Sequence, residues 1–364
     1  MVWTNLHAKI HRTIRSRRLF EPEQRLLVAV SGGQDSLCLI KLLLDLQPKW
    51  GWELGIAHCD HRWRDDSQAN AHHVKNLAEN WGVSFYLETA NKPVNSEATA
   101  REWRYQALSA IAQAHNYQYI VTGHTASDRA ETLLHNLMRG TGADGLQALT
   151  WQRLITGNIW LVRPLLEITR QQTAQFCQEF QLPIWEDSTN QDLKYARNRI
   201  RQELIPYLQT NFNPQAELAI AQTAELLQAE VEYLEQLAQQ LKEEAMDWGQ
   251  INSKFKIQNS KFKNPTSSPP SPPLRLNRRV LQKAPLALQR RVMRQVLQEI
   301  LPDAPNFEHI EKLTALITAP NRSQTDPFPG GAIAQVQGDW IILGTGDKII
   351  QNSRIQNSKL ENCP

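Results

Sequence analysis

Six consecutive residues, Ser31-Gly32-Gly33-Gln34-Asp35-Ser36, follow the apolar run Leu26-Leu27-Val28-Ala29-Val30 and precede Leu37-Cys38-Leu39-Ile40-Lys41-Leu42-Leu43-Leu44. A strand, a glycine turn and a helix start are thus packed into about twenty residues, the arrangement that holds phosphate. Paired glycines let the backbone turn sharply and bring its N–H groups close to an anion. The two serines add hydroxyl donors at a helix N-terminus that carries partial positive charge. Such a loop is built for a nucleotide. Its spacing is not that of a Walker loop, and the third glycine of a dinucleotide fingerprint is missing.

Other residue types capable of chemistry fall at strand ends. His58-Cys59-Asp60-His61 suggests a metal site, but consecutive strand residues point to opposite faces, so four in a row cannot ligate one ion without a sharp bend. His58 and Asp60 share a face. His124 stands four residues before Asp128, and Asp128 and Glu131 lie one helical turn apart. Arg197, Arg199 and Arg201 alternate with Asn198 and Ile200; on a helix, Arg197 and Arg201 share a face.

Strands predicted over residues 26–30, 54–58, 84–88 and 119–122 alternate with helical patterns at 37–47, 67–81, 97–115 and 129–139. That alternation predicts an α/β fold, a doubly wound, mainly parallel sheet whose ligands bind beyond the carboxyl ends of the strands. The Ser31 loop, His58 to His61 and Gly123-His124 all fall there. The domain spans residues 1–214. A linking helix follows at 215–248, with Leu227, Val231, Leu234, Ala238, Leu241, Ala245 and Trp248 as its apolar stripe. Residues 249–273 read as a low-complexity linker ending in a Pro/Ser run, residues 274–345 as a small α+β second domain, and 346–364 as a polar tail. In the second domain, helical patterns at 277–299 and 306–318 precede a hairpin turning at Gly338-Asp339.

With 364 residues and a formal charge of +3, the chain is long enough for two domains, and its charge is unevenly spread. Between Trp248 and Gln298 there are eleven Lys and Arg and no Asp or Glu, and a second basic cluster runs from Lys9 to Arg18. Arg290, Arg291 and Arg294 therefore have no acidic neighbour in sequence, which points to a polyanionic partner such as nucleic acid. Four scattered cysteines without a C-x-x-C pair argue against a zinc framework and fit a reducing compartment. With no apolar run of bilayer length and no signal-peptide core at the start, the reading is cytoplasmic, and a homodimer is left open.

The Ser31 loop resembles the S-G-G-x-D-S pyrophosphate loop of the ATP-pyrophosphatase families. Four more segments are similar to one family in that group, the tRNA(Ile)-lysidine synthetases: Ala57-His58-Cys59-Asp60-His61-Arg62-Trp63-Arg64; Ala100-Arg101-Glu102-Trp103-Arg104-Tyr105; Thr122-Gly123-His124 through Asp128 and Glu131-Thr132 to Arg139-Gly140-Thr141-Gly142; and Asp187-Ser188-Thr189-Asn190 with Arg197-Asn198-Arg199-Ile200-Arg201. The resemblance covers over half the chain. It implies an adenine nucleotide alpha hydrolase-like fold and an ATP-dependent ligation of free L-lysine to the wobble cytidine of an isoleucine tRNA, through an adenylated intermediate.

On that resemblance Ser31, Gly32, Gly33, Gln34, Asp35 and Ser36 hold ATP and its pyrophosphate, with Mg²⁺ near Asp35, while His58 and Asp60 contact the adenine or ribose. Asp128 and Glu131 take the lysine ammonium and Arg104 its carboxylate. Asp35, His124 and Asp128 form the catalytic set, with His124 orienting the phosphates or the adenylated base. Arg197, Asn198 and Arg201, with Arg290, Arg291 and Arg294, contact tRNA. Two positions depart from the family pattern: Cys59 replaces an aliphatic residue, and Arg62 replaces a glycine. Rival chemistries on the same loop are tRNA thiolation, which calls for paired cysteines, and amidotransferase-type synthesis, which calls for a glutaminase domain; a non-catalytic RNA-binding module would tolerate a damaged loop.

Overall fold

The computed structural model describes residues 3–62, 66–91, 97–186, 192–246 and 274–345. The expected linker at 249–273, the tail at 346–364, Trp63, Arg64 and the motif at 187–190 lie outside the described residues. The chain divides into two compact units, Met1–Ala229 and Glu230–Pro364, and the division falls within one long helix.

The first unit runs α1 (Asn5–Ser16), β1 (Arg25–Ala29), α2 (Gln34–Trp50), β2 (Glu53–Asp60), α3 (Ser67–Asn80), β3 (Ser84–Thr89), α4 (Glu97–Ala114), β4 (Tyr119–Thr122), α5 (Ala126–Met138) and α6 (Ala143–Leu146). It continues with β5 (Gln152–Thr156), β6 (Ile159–Val162), α7 (Arg170–Glu179), α8 (Ala196–Arg199), a π-helical turn at Ile200–Leu204, α9 (Ile205–Asn211) and the start of α10 (Ala216–Ala245). One six-stranded sheet has the order β3-β2-β1-β4-β6-β5. β1, β2, β3, β4 and β6 pair in parallel, and β5 pairs antiparallel to β6.

The strand order reverses at β1, flanked by β2 and β4, so the connections after β1 and β4 leave to different sides and open a crevice at their carboxyl ends. Every strand predicted from sequence is present. β5 and β6 were not predicted. Most of β5 is exposed, so the apolar alternation that marks a strand is missing there.

The helix after the phosphate loop forms because Leu37, Cys38, Leu39, Ile40, Leu42, Leu43 and Leu46 all pack into the core; Gly51, at φ +70°, ends it. Burial on this scale contributes about 1.5–3 kcal/mol for each leucine or isoleucine, which fixes the loop's outgoing direction.

In the second unit the end of α10 is followed by β7 (Leu274–Asn277), α11 (Arg278–Gln282), α12 (Leu286–Ile300), α13 (Phe307–Ala315), β8 (Ala332–Gln337) and β9 (Trp340–Thr345). β9 lies between β7 and β8, antiparallel to both, and the β8–β9 hairpin turns at Gly338 (φ +61°) and Asp339 as predicted. The helix expected over 277–299 is instead two helices broken before Pro285, and its first residue closes a four-residue strand.

The arginine cluster here differs from its sequence reading. Arg290 pairs with Glu311 of α13 (2.6 Å), and Arg291 and Arg294 both pair with Glu235 of α10. Folding brings in acidic partners from 21 to 59 residues away, so the premise of an uncompensated cluster fails.

Candidate active site

The phosphate loop is held open by its own serines. Ser36 Oγ accepts from the Ser31 backbone N–H (3.2 Å) and donates to the Gly33 carbonyl (2.8 Å), while Ser31 Oγ accepts from the Gly33 N–H (3.3 Å). Gly32 adopts φ +87°, and a Cβ there would lie 2.4 Å from Asn70 Oδ1. The loop opens into a cavity of about 830 Å³ lined by Ser31, Gly33, Gln34, Asp35 and Ser36 together with His58, Asp60, Arg104, His124, Asp128 and Arg201. Ten of the residues expected to bind ATP, bind lysine or act in catalysis thus converge on one cavity. Gly32 only shapes the loop, and Glu131, Arg197 and Asn198 do not line the cavity.

An arginine missed by the sequence reading organises one wall. Arg170, the first residue of α7, donates from Nε to Asp35 Oδ2 (3.0 Å), from Nη2 to Asp128 Oδ1 (2.9 Å) and from Nη1 to Glu131 Oε1 (3.0 Å). Arg201 adds two bonds to Glu131, at 2.7 and 2.9 Å. An available signal was the capping box at Thr169 and Gln172, which marks a helix start just beyond a strand end. An arginine at that start opposes the helix dipole, so it must serve another purpose.

Three of these residues depart from their expected tasks. Glu131 is buried, with both oxygens taken by Arg170 and Arg201, and reaches the cavity only through them. Arg201, expected to contact tRNA, lines the cavity and gives its Nε and Nη2 to Glu131. Gln34 donates its amide to the Arg170 carbonyl and to Thr173 Oγ1, both at 2.7 Å, so its side chain anchors α7 to the loop.

The electrostatics follow from this wiring. Burial would raise the Asp128 carboxyl, but Arg170, His124 and the hydrogen bonds from Thr125 outweigh it and hold it down at about 2. Burial dominates at Asp35 and raises its carboxyl above the usual range, with Asp128 adding to the rise and Arg170 and Thr173 opposing it. Burial also lowers His124, and Arg163, Arg101 and Arg104 add to that effect, so the imidazole is neutral at ordinary pH. Its Nδ1 is hydrogen-bonded to Thr122 Oγ1 at 2.9 Å.

On the opposite side of the crevice, His58 donates from Nδ1 to the Val30 carbonyl (2.8 Å), which ties β2 to the strand that carries the loop. Asp60 accepts from the Arg62 N–H at 2.8 Å, and Arg62 adopts φ +55°. A glycine would take that conformation without strain; here an arginine takes it. Arg104 donates twice to His61 Nε2 (3.2 and 3.0 Å), and burial together with Arg104 lowers His61 to about 4. Burial pushes the Cys59 thiol up to about 12, so it carries no charge. Asn198, expected at the RNA surface, is buried and donates to the Asp192 carbonyl. The π-helical turn that follows breaks the regular helix on which Arg197 and Arg201 were expected to share a face.

Asp35 offers hard oxygen donors of the kind magnesium takes. Oδ1 accepts from Thr173 (2.5 Å) and Gln34 (3.4 Å), and among the described residues Oδ2 accepts from Arg170 alone, which leaves a lone pair for a cation shared with phosphate oxygens.

Residues 3–208 match the PP-loop domain, and residues 276–339 match the TilS substrate binding domain. The chain is 86% identical to the tRNA(Ile)-lysidine synthase of Nostoc sp. (strain PCC 7120) over 348 residues, 96% of this chain and 99% of the relative. It belongs to the tRNA(Ile)-lysidine synthase family. Within this family of ligases, identity is 49% to the protein of Synechocystis sp. (strain PCC 6803), covering 94% of this chain and 98% of that one. It is 34% to the chloroplastic protein of Zygnema circumcarinatum, covering 94% and 87%. A U34-tRNA thiolase from Methanococcus maripaludis shares the fold, with a TM-score of 0.52, 14% identity and coverage of 61% of this chain and 78% of that one.

Proposed function

We propose that this chain ligates free L-lysine to C2 of the wobble cytidine in the CAU anticodon of isoleucine tRNA, consuming ATP and releasing AMP and pyrophosphate in the cytoplasm. The lysidine formed changes codon reading from AUG to AUA. The observation that carries the reading is the pairing, in one cavity, of a phosphate loop with a carboxylate-rich wall. Among the described residues the ion-pair partners of Asp35, Asp128 and Glu131 are Arg170 and Arg201, so three carboxylates meet two guanidiniums and the wall keeps one negative charge. An incoming ammonium neutralises it.

The loop N–H groups and both serine hydroxyls bind the β- and γ-phosphates, where negative charge grows as pyrophosphate leaves. The cytidine O2 attacks the α-phosphorus in that step, and the lysine ε-amine then attacks C2 and expels AMP. Asp35 would hold Mg²⁺ against the phosphate oxygens, where the ion supplies charge neutralisation. Neutral His124 orients the phosphates or the adenylated base by hydrogen bonding, and Asp128 holds the ammonium until it loses its proton. Arg104 takes the lysine carboxylate, His58 and Asp60 border the nucleoside, and Arg197 contacts RNA phosphate. The second unit positions tRNA.

The deciding experiment incubates the protein with ATP, labelled lysine and unmodified isoleucine tRNA and identifies the nucleoside by mass spectrometry. Lysidine is the expected product; pyrophosphate release that does not depend on lysine, without lysidine, would overturn the reading.

A further inference from the structure

We propose that Arg101 and Arg153, both set over the ring of Tyr105, form a phosphodiester subsite that holds the RNA backbone beside the catalytic cavity. The inference deepens the reading of tRNA as substrate and rests on it. Arg153 extends from β5 with its guanidinium 4.9 Å from the Tyr105 ring centre, and Arg101, one helical turn before Tyr105 on α4, lies 5.7 Å from it. Tyr105 itself lines the cavity.

Behind the ring, Arg163 is 2% exposed, donates from Nη1 to the Thr150 carbonyl (2.6 Å) and hydrogen-bonds the Tyr105 side chain. Its Nε has no partner among the described residues.

What sets this cluster apart is a buried guanidinium without counter-charge: among the described residues Arg129 and Arg163 are the buried arginines of this unit, and Arg129 is paired with Glu225 while Arg163 meets no carboxylate. Arg129, Arg170 and Arg201 in the same unit each meet a carboxylate, whereas among the described residues Arg101, Arg153 and Arg163 meet none. A permanently charged guanidinium buried among other cations is stabilised when an anion arrives. The tyrosine registers the field: burial would raise its phenol, yet Arg163, Arg101 and Arg153 together pull it below its ordinary value. Stacking on a ring immobilises a guanidinium while leaving its fork of N–H donors free for phosphate oxygens.

Both ATP and RNA carry such oxygens, and the geometry favours RNA. Neither Arg101 nor Arg153 lines the cavity into which the Ser31 loop opens. β5 is three strands from β1, which carries that loop, a separation of about 14 Å across the sheet. ATP phosphates seated at the loop do not span it, whereas a strand running on from the wobble nucleotide brings further phosphates to β5.

The test compares wild type with the Arg101→Ala/Arg153→Ala double variant in the full chain. Binding of unmodified CAU-anticodon isoleucine tRNA and of its isolated anticodon stem-loop is measured at several salt concentrations, and ATP binding separately. Both RNAs should bind about tenfold more weakly. The slope of log affinity against log salt should fall by about 1.4, for two single-strand contacts. ATP affinity should not change, and the Arg101→Lys/Arg153→Lys variant should recover most of the slope. Unchanged RNA affinity and slope would reduce the cluster to a solvated surface and overturn the proposal. Lost ATP affinity with intact RNA binding would overturn it in favour of a nucleotide contact. Failure of the wild-type protein to bind either RNA would instead undo the functional reading itself, and is seen without any variant.

Discussion

Arg170 joins three acidic side chains that the sequence keeps 135, 42 and 39 residues away from it. Its removal would leave Asp35 with no ion-pair partner among the described residues, and Asp128 and Glu131 sharing Arg201. We expect Arg170→Ala to lower kcat/KM by at least 100-fold while the protein stays folded. Arg170→Lys should recover little, because one ammonium cannot serve three carboxylates in a fixed fork. Kinetics beside a thermal melt check this; a folded Arg170→Ala protein with near-normal turnover would remove the residue from the site.

The same wiring sets a pH dependence. His61, at about 4, and His124 lie below the usual 6.5 in the folded state, so below pH 6.5 the unfolded chain takes up protons that the folded one refuses. Their contribution is complete above pH 6.5 and is lost as pH falls, toward 4 for His61 and toward 3 for His124. Asp128, held at about 2, loses its contribution lower, between 3.8 and 2. Melting temperature should therefore decline through an upper window between pH 6.5 and 4, to which both histidines contribute, and through a lower one in which His124 and Asp128 overlap, and His61→Gln should flatten the upper one. An unchanged upper window would mean that His61 titrates normally.

At the scale of elements, the loop and the β4 end are interlocked. A Cβ on Gly123 would stand 2.9 Å from the Asp35 carbonyl oxygen and 3.1 Å from the Ser36 nitrogen, both backbone atoms at the start of α2. Gly123→Ala must therefore push the helix start away from the strand end, at about 1–3 kcal/mol of overpacking. We expect ATP affinity to fall more than lysine affinity, because the displaced atoms belong to the phosphate loop. Equal losses would place the interlock outside nucleotide binding.

These elements also show how much could be read in advance. β1, β2 and β4 are largely apolar and mostly buried, so their pattern announces them; β3 is an edge strand marked only by Phe85-Tyr86-Leu87, and the Ser31 loop carries its chemistry in its own composition. β5 could not be read in this way, being mostly exposed. Arg170 and Thr173 escaped notice because their partners are set by tertiary approach, which leaves no periodic trace in the chain.

On the scale of the whole molecule, α10 contributes to each unit in turn. Its early residue Glu225 accepts from Arg17 (2.7 Å), Arg129 (2.5 Å) and Trp151 (2.7 Å) in the first unit, and its later residue Glu235 accepts from Arg291 and Arg294 in the second. The premise that the basic run of the second unit has no acidic partner therefore fails for a physical reason: charge balance is a property of the folded neighbourhood, and the acids lay beyond the window in which they were sought. Arg291 and Arg294 are only 11% and 17% exposed at their side chains, against 42% for Arg290, so the first two are committed to Glu235. Arg291→Ala/Arg294→Ala should strip that carboxylate of its guanidinium partners and destabilise the second unit by about 2 kcal/mol, seen as a lower melting transition. Arg290→Ala, at an exposed pair, should change stability little. If internal pairing is the main task of Arg291 and Arg294, their loss should leave the salt slope of tRNA binding nearly intact, whereas two phosphate contacts would lower it by about 1.8. A reduced slope with an unchanged melt would return both arginines to the RNA interface and make their pairing with Glu235 incidental.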